Sequence, residues 1–491
     1  MNTERALSFE PRAMSLPPLA ARSSWLFVAI LFSTTILAQS PYITPTDPLV
    51  QQKLERWKDL KFGLLMHWGA YSQWGVVESW SICPEDEGWC RRDAVHGKTY
   101  NEYVRNYEAL QTTFDPVKFD PSKWARAAKD AGMKYMVFTT KHHDGFCMFD
   151  TKTTDYKITS PNCPFNDDPQ ANVTKGIFNA FRKEGLWTGA YFSKPDWHSD
   201  DYWWRNFPPK DRSVNYLPAK YPERWKAFKD FTYTQIDELM SDYGTVDILW
   251  LDGGWVRPFS SIDTSVGWQK AITIEQDIDM PRIAAMARSH QPGLLVVDRT
   301  VGGEYENYIT PEGHVPDKDP GVPWETCMPV GTSWSWVPNE QYKSTDEIIR
   351  TLVQVVSRGG SLLLNVAPGP DGQLDSAAYV RLKEVGDWLK VNGEAVYGTI
   401  PSPIPEKDGF HFTQTPDGTV TYAIKFKDRG RTPPGEFLPG IRRPEGKSMS
   451  VAILGSPSLC ILMNDDNGGL NMKLSHPLDP GIAVVYRIER W

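Results

Sequence analysis

Cysteine is scarce in this chain: six in 491 residues, and none in a CxxC pair. That excludes zinc-ribbon and thioredoxin-type centres. No basic surplus is present either. Fifty-three lysines and arginines face 61 aspartates and glutamates, a net charge of −8 with both signs interspersed, so no nucleic-acid surface is expected. Neither an HExxH pattern nor a third ligand at a short fixed offset is found, so no metal is expected. GxSxG is missing, which argues against a nucleophile elbow, and no P-loop appears. Without GxGxxG at the first strand, a doubly wound open sheet is the weaker of two architectures. There is no internal repeat and no low-complexity tract.

Long apolar runs are lacking as well. The stretch from Trp25 to Ala38 has about 14 residues, too few to span a bilayer comfortably. Arg22 precedes it and a small residue ends it, the pattern of a secretory signal peptide. A retained N-terminal anchor is the other reading. Residues 1–38 are therefore set aside from the fold. The mature protein is expected to be exported, to a periplasm or the extracellular space, with no membrane attachment after cleavage. Cys83 and Cys90 are the nearest cysteine couple, though their spacing does not establish a disulfide. Asn172-Val-Thr174 matches a glycosylation acceptor, which matters only in a eukaryotic secretory pathway.

What is abundant is aromatic surface, with 20 tryptophans and 20 tyrosines. Flat rings suit the C–H faces of sugars, or simply an aromatic core. At 40% apolar residues the chain can bury a sizeable core.

From residue 49 a helix pattern runs to about Asp59, and Phe62 to Gly69 reads as a buried strand. Residues 70–120 read as mostly irregular. Helix and strand patterns then alternate. Helices are expected over 121–132, 174–185, 223–243, 280–290, 344–358 and 377–392. Strands are expected over 134–140, 186–192, 246–251, 294–297 and 361–365. The strands are short, apolar on both faces and never joined by two-residue turns, as in a parallel sheet covered by helices. Five or six such units suit an irregular (β/α)8-like barrel over residues 39–398. Near residue 395 the composition shifts. Pro401, Pro403 and Pro405 precede short strand patterns with no helix period, so residues 399–491 are expected to form a C-terminal antiparallel β-sandwich.

Polar residues follow the strands in a regular way. His67 follows the first strand, His142 and His143 the second, and Ser193 to His198 the third. Asp252 follows the fourth and Asp298-Arg299 the fifth. In a parallel barrel all these ends open on one face, where such folds carry chemistry. A lone strand-end aspartate is more often a turn or cap residue, and adjacent histidines on a strand point opposite ways. Convergence of five strand ends is harder to obtain from caps alone. A pocket of carboxylates, histidines, an arginine and tryptophans suits glycoside hydrolysis. That reaction needs one ionised carboxylate at the sugar carbon and one protonated carboxyl at the leaving oxygen. Asp252 is the natural nucleophile, and Gly253-Gly254 would let substrate approach closely.

These residues resemble the α-L-fucosidases of glycoside hydrolase family 29. The likeness is carried by Lys61-Phe-Gly-Leu-Leu-Met-His-Trp-Gly69, by residues 131–146 (AGMKYMVFTTKHHDGF), by Leu249-Trp-Leu-Asp-Gly253 and by Asn365-Val-Ala-Pro-Gly-Pro-Asp-Gly372. It extends from about Leu49 to Tyr397, with the β-sandwich following. The resemblance implies a retaining enzyme without metal or cofactor, acting on a fucosylated oligosaccharide or glycoprotein glycan. It implies Asp252 as nucleophile. His67, His142 and His143 would bind the sugar hydroxyls, Tyr191 would stand near the anomeric centre, and Arg299 would line the site. Trp250 is a further substrate-binding candidate, though a tryptophan at such a place is more often core. Glu78-Ser79-Trp80 stands where other members place an adjacent Glu-Trp pair, so which of Glu78 and Trp80 reaches the ligand is open. Glu312 is the expected acid/base, its pKa raised by an apolar loop or a nearby carboxylate, and Glu304, Glu306, Asp298 and Glu325 are the other candidate carboxylates. Two further readings are a glycosidase for another sugar of fucose shape, such as L-galactose, and a non-catalytic glycan-binding protein. The oligomeric state is not legible.

Overall fold

The computed structural model describes residues 42–84, 92–427, 437–443, 445–446, 448–466, 468–476 and 481–491. The expected signal peptide and Cys90 lie outside the described residues. Among the described residues, no helix is long and apolar enough to cross a membrane.

Seven parallel strands form one curled sheet. They are β1 (Phe62–Met66), β2 (Tyr135–Lys141), β3 (Trp187–Ser193), β4 (Ile248–Asp252), β5 (Leu295–Asp298), β6 (Glu325–Pro329) and β7 (Ser361–Asn365), in the spatial order β5-β4-β3-β2-β1-β7-β6. Alternation along each strand separates two cores. Leu64, Met66, Met136, Phe138, Leu249, Leu251, Leu362 and Leu364 face the helices and belong to the large outer cluster. Leu65, Tyr135, Val137, Tyr191, Ile248, Trp250, Val297 and Leu363 fill the interior. Both faces are thus buried, which is why the strands read as continuous apolar runs.

The eighth position is filled without a regular strand. Segment 305–313 bonds to both free edges of the sheet. On one side Asp298 N donates to Tyr305 O at 2.9 Å and Asn307 N to Val296 O at 2.9 Å. On the other, Glu325 N donates to Ile309 O at 2.9 Å and Gly313 N to Cys327 O at 2.9 Å. Isolated bridges Val297–Glu306 and Glu312–Cys327 mark the two seams. The irregular barrel expected from the sequence is therefore closed by an arm, and Glu312 sits on it.

The helices form where local signals place them. Asp120 caps Pro121–Asp130, accepting from Lys123 N, with Pro121 in its first turn. Ser344 and Glu347 make a reciprocal capping box for Thr345–Ser357. Several elements were not expected, two of them close to the barrel sheet. Tyr100–Glu108 is a helix inside the stretch read as irregular, and its buried face is Tyr103 and Tyr107, which carry no aliphatic period. β6 escaped because Glu325-Thr-Cys-Met-Pro does not read as a buried strand. The side chain of Glu325 is nevertheless fully buried in the interior, accepting from Tyr135 OH at 2.6 Å and Trp250 Nε1 at 3.1 Å.

From Ile400 onward the chain builds a five-stranded and a three-stranded antiparallel sheet. They pack through Phe412, Leu438, Val451, Leu470, Met472 and Ile488, the expected sandwich. Asn172 of the sequon caps the helix Val173–Lys183. Its Oδ1 accepts from Lys175 N at 3.3 Å, its Nδ2 donates to Tyr243 OH at 3.1 Å, and Thr174 is buried.

Candidate active site

Period-two alternation continues past the strand ends and delivers the polar groups. Asp252 lies two residues beyond interior Trp250, His67 two beyond Leu65, Arg299 two beyond Val297, and Asn365 two beyond Leu363. The β3–β4 register pairs Tyr191 with Trp250 and Ser193 with Asp252. All these side chains point toward one axis.

They meet in a cavity of about 910 Å³. Its walls include every residue expected from the sequence: His67, Glu78, Trp80, His142, His143 and Tyr191, together with Trp250, Asp252, Arg299 and Glu312. The floor is deeply buried. His67, His142, His143, Glu78, Tyr191 and Trp250 are each at most 5% exposed.

Asp252 is the most heavily engaged group. Its Oδ1 accepts from Arg299 Nη1 at 3.0 Å and from Gly253 N at 2.8 Å, and its Oδ2 from Tyr191 OH at 2.7 Å. His143 Nε2 lies 3.8 Å from Oδ2. Burial alone would raise the acid, but Arg299, His143 and the tyrosine outweigh it and hold Asp252 well below the usual carboxylate range. It stays ionised. Gly253 has a φ of +90°, and a Cβ there would collide with Pro195. A Cβ on Gly254 would meet Thr300 Oγ1. The neighbouring strand-end loops thus leave no room for a side chain at either glycine, and Gly254 lines the cavity.

Arg299 also reaches the arm. Its Nη2 donates to Glu312 Oε2 at 2.6 Å, and its Nε to Thr310 Oγ1 at 3.1 Å. One guanidinium clamps both carboxylates, and its plane lies 4.3 Å from the Trp250 ring. Glu312 is 49% exposed. Of the apolar loop or nearby carboxylate expected beside it, the structure provides the carboxylate, Asp252, on the same guanidinium; the partner of Glu312 is a cation and half its surface meets solvent. The other four carboxylates stand outside the cavity. Asp298 pairs with buried Lys194, Glu325 lies beneath the floor, Glu306 accepts from Thr300 N at 2.7 Å, and Glu304 is exposed. None of the four lines the cavity.

The histidines are neutral. Burial pushes His67 down to about 4, and its Nδ1 is 2.9 Å from Asn365 Oδ1. Burial also lowers His143 to about 4 and drives His142 well below its usual value. A neutral imidazole can donate from one nitrogen and accept at the other, which suits sugar hydroxyls. The rule that adjacent histidines point apart fails here. Both stand beyond the end of β2, where the chain turns, and their rings lie 4.3 Å apart. His142, His143 and Asp252 bring potential metal-ligand atoms within 4.8 Å of one another. A cation there would face the Arg299 charge already bound to Asp252, so the donor set favours a sugar over a metal.

Glu78 and Trp80 both line the cavity, on either side of the intervening serine. Ser79 turns to the other side and bonds His142 Nδ1 at 2.5 Å. Glu78 is buried at a φ of 28°, accepts from Ser335 N at 2.6 Å, and is pushed up by burial to about 8. Trp80 meets His143 edge-on at 5.3 Å, and the Arg212 guanidinium lies 4.8 Å from its ring. Arg212, Trp268 and Trp334 also line the cavity, and sequence reasoning did not single them out. Arg212 and Trp334 lie in loops and Trp268 in the four-residue helix Gly267–Lys270, where no period or motif distinguishes them.

A parallel barrel whose C-terminal rim gathers an ionised aspartate, a second carboxylate, neutral histidines and aromatic walls defines a glycoside hydrolase. The family model for α-L-fucosidase matches residues 29–394. An α-L-fucosidase of Branchiostoma floridae is 25% identical over 426 residues, covering 82% of this chain and 86% of the relative. Human tissue α-L-fucosidase is 27% identical, covering 78% of each. Among solved structures, α-L-fucosidase isoenzyme 1 from Paenibacillus thiaminolyticus superposes with a TM-score of 0.72 at 27% identity, covering 90% of this chain and all of that one. The Thermotoga maritima α-fucosidase, solved in complex with fucose, gives 0.65 at 27% identity, covering 88% and 95%. The chain belongs to the α-L-fucosidase family of glycoside hydrolases.

Proposed function

We propose that this enzyme removes terminal α-L-fucosyl residues from oligosaccharides or glycoprotein glycans by double displacement with retention. The observation that carries the reading is the shared clamp: Arg299 bonds Asp252 and Glu312 within one cavity. Asp252, held ionised, attacks C1 of fucose as the C1–O bond to the aglycone breaks. Glu312 gives its proton to the departing oxygen. Glu312 then takes a proton from water, whose oxygen displaces Asp252 from C1. For the first step Glu312 leaves the Arg299 fork and protonates, a move its half-exposed side chain permits. Arg299 stays charged and Tyr191 stays a donor to Asp252, so the nucleophile keeps its geometry while the arm moves.

The floor supports recognition of a single terminal sugar. His67, His142, His143 and Glu78 offer hydrogen bonds from below, and Trp80 and Trp255 supply aromatic walls for apolar faces and the C5 methyl. All lining residues fall between His67 and Val337, which supports catalysis in the 39–398 region and a supporting role for the 399–491 sheets. Residues 1–38 carry the export signal, and N-terminal sequencing of the secreted protein should begin after Ala38. The mechanism is tested by following an aryl α-L-fucoside by proton NMR. α-L-Fucose should appear first and mutarotate later; initial release of the β-anomer overturns retention.

A further inference from the structure

The cavity is larger than a buried monosaccharide site needs. Its volume of about 910 Å³ lies near the top of the roughly 300–1,000 Å³ range of pockets that enclose drug-sized ligands. Above the polar floor, one wall changes character. Residues Trp268, Ala271, Ile272, Thr273 and Ile274 line it, and Trp268 is 46% exposed. A large indole thus stands half open at the rim of the cavity, beside the polar floor.

This indole is also propped in place. Arg257, only 1% exposed, sets its guanidinium 5.1 Å from the Trp268 ring. Arg257 itself is fixed on several sides. Its Nη1 donates to Gln269 Oε1 at 2.8 Å, its Nη2 to Thr300 O at 2.6 Å, and its Nε to Gly254 O. Gly254 and Thr300 directly follow the Asp252-Gly253 pair and Arg299. The same buried arginine therefore ties the Trp268 turn to the loops that carry the nucleophile and the clamp. The ring stands at a fixed place relative to the reaction centre.

We propose that Trp268 is the platform of an aglycone subsite, on which the pyranose ring that bears the fucose stacks its C–H face. The inference rests on the fucosidase reading of the cavity and extends it to the leaving group. Asp211, Ser213, Thr273 and Thr332 line the same cavity and offer hydrogen-bonding groups for the hydroxyls of such a ring. An aromatic face beside polar side chains suits a sugar better than a purely apolar aglycone.

The test compares two substrates that share fucose and differ in leaving group. For Trp268→Ala, kcat/KM on a fucosylated trisaccharide should fall at least about tenfold, while kcat/KM on α-L-fucosyl fluoride should stay within about twofold. Trp268→Phe should keep most of the trisaccharide activity, because a flat face remains. The defucosylated disaccharide should inhibit the wild type and lose that inhibition in Trp268→Ala. Equal loss on both substrates, or loss on neither, overturns the proposal. So does a loss confined to alkyl fucosides, which would make the subsite a hydrophobic one. A wild-type enzyme inactive on fucosyl fluoride would instead sink the fucosidase reading itself.

Discussion

Asp252 and Glu312 share one guanidinium but stand on two different kinds of backbone. Asp252 ends a strand bonded on both sides within a parallel sheet, and three donors hold its oxygens. Glu312 stands on an arm that closes the barrel through isolated bridges, and half its side chain meets solvent. The difference fits the two tasks proposed for them. A nucleophile has to stay ionised and aimed, which rigid neighbours and a permanent cation provide. An acid/base has to change protonation state twice per turnover, which needs access to solvent and freedom to leave its partner.

If that contrast holds, removing the fixed group should cost most. Asp252→Ala should lower kcat on an aryl α-L-fucoside by at least about 10³-fold with fucose binding retained; turnover near wild type would end the assignment. Glu312→Ala should slow hydrolysis of natural glycans by about 10²–10⁴-fold. It should spare substrates with activated leaving groups in the first step, and added azide should accelerate the second. Wild-type rates on glycans would move the acid/base elsewhere.

A subtler break targets the backbone behind the clamp. Thr300 holds a φ of 63°, a left-handed conformation that costs a non-glycine residue about 1–3 kcal/mol. Its N–H bonds Glu306 and its carbonyl bonds Arg257. Glu306→Ala should therefore lower kcat about tenfold by loosening Arg299, without azide rescue, and adding Thr300→Gly should restore most of it. Loss that the glycine does not repair would refute this positioning role. The floor should show itself in stability against pH. His67 and His143 have folded values of about 4 against an ordinary 6.5. Between pH 4 and 6.5 the unfolded chain binds protons that the folded chain does not. Stability should therefore rise with pH across that window and level above it, by on the order of 1–3 kcal/mol per histidine. Urea melts at pH 4.5, 5.5 and 7 should give a shallower slope for His67→Gln than for wild type; parallel curves would show that His67 is not the group responsible.

Much of the strand-borne site was legible because alternation is local. Apolar runs located β1 to β5 and β7, and the polar residue two positions past each interior side chain had to face the axis. The arm was legible only through resemblance. Segment 305–313 has no period, since its bonds run to the edges of β5 and β6 and not to itself. β6 hid for a related reason, as its first side chain, Glu325, is satisfied by Tyr135 and Trp250 from distant strands. The histidine pair was misread by a strand rule applied past the strand's end. Trp268 gave no signal, because an exposed rim residue owes its place to Arg257, a neighbour 11 positions earlier in the chain.

By itself, the chain's order of residues determined the helix and strand periods, the caps, and the polar group at each strand end, because these depend on neighbours a few positions away. Only tertiary structure decided that Arg299 grips two carboxylates, that an irregular arm completes the barrel, and that burial keeps three histidines neutral. Those outcomes depend on distances between segments and on exclusion of water, and neither exists until the sheet has curled.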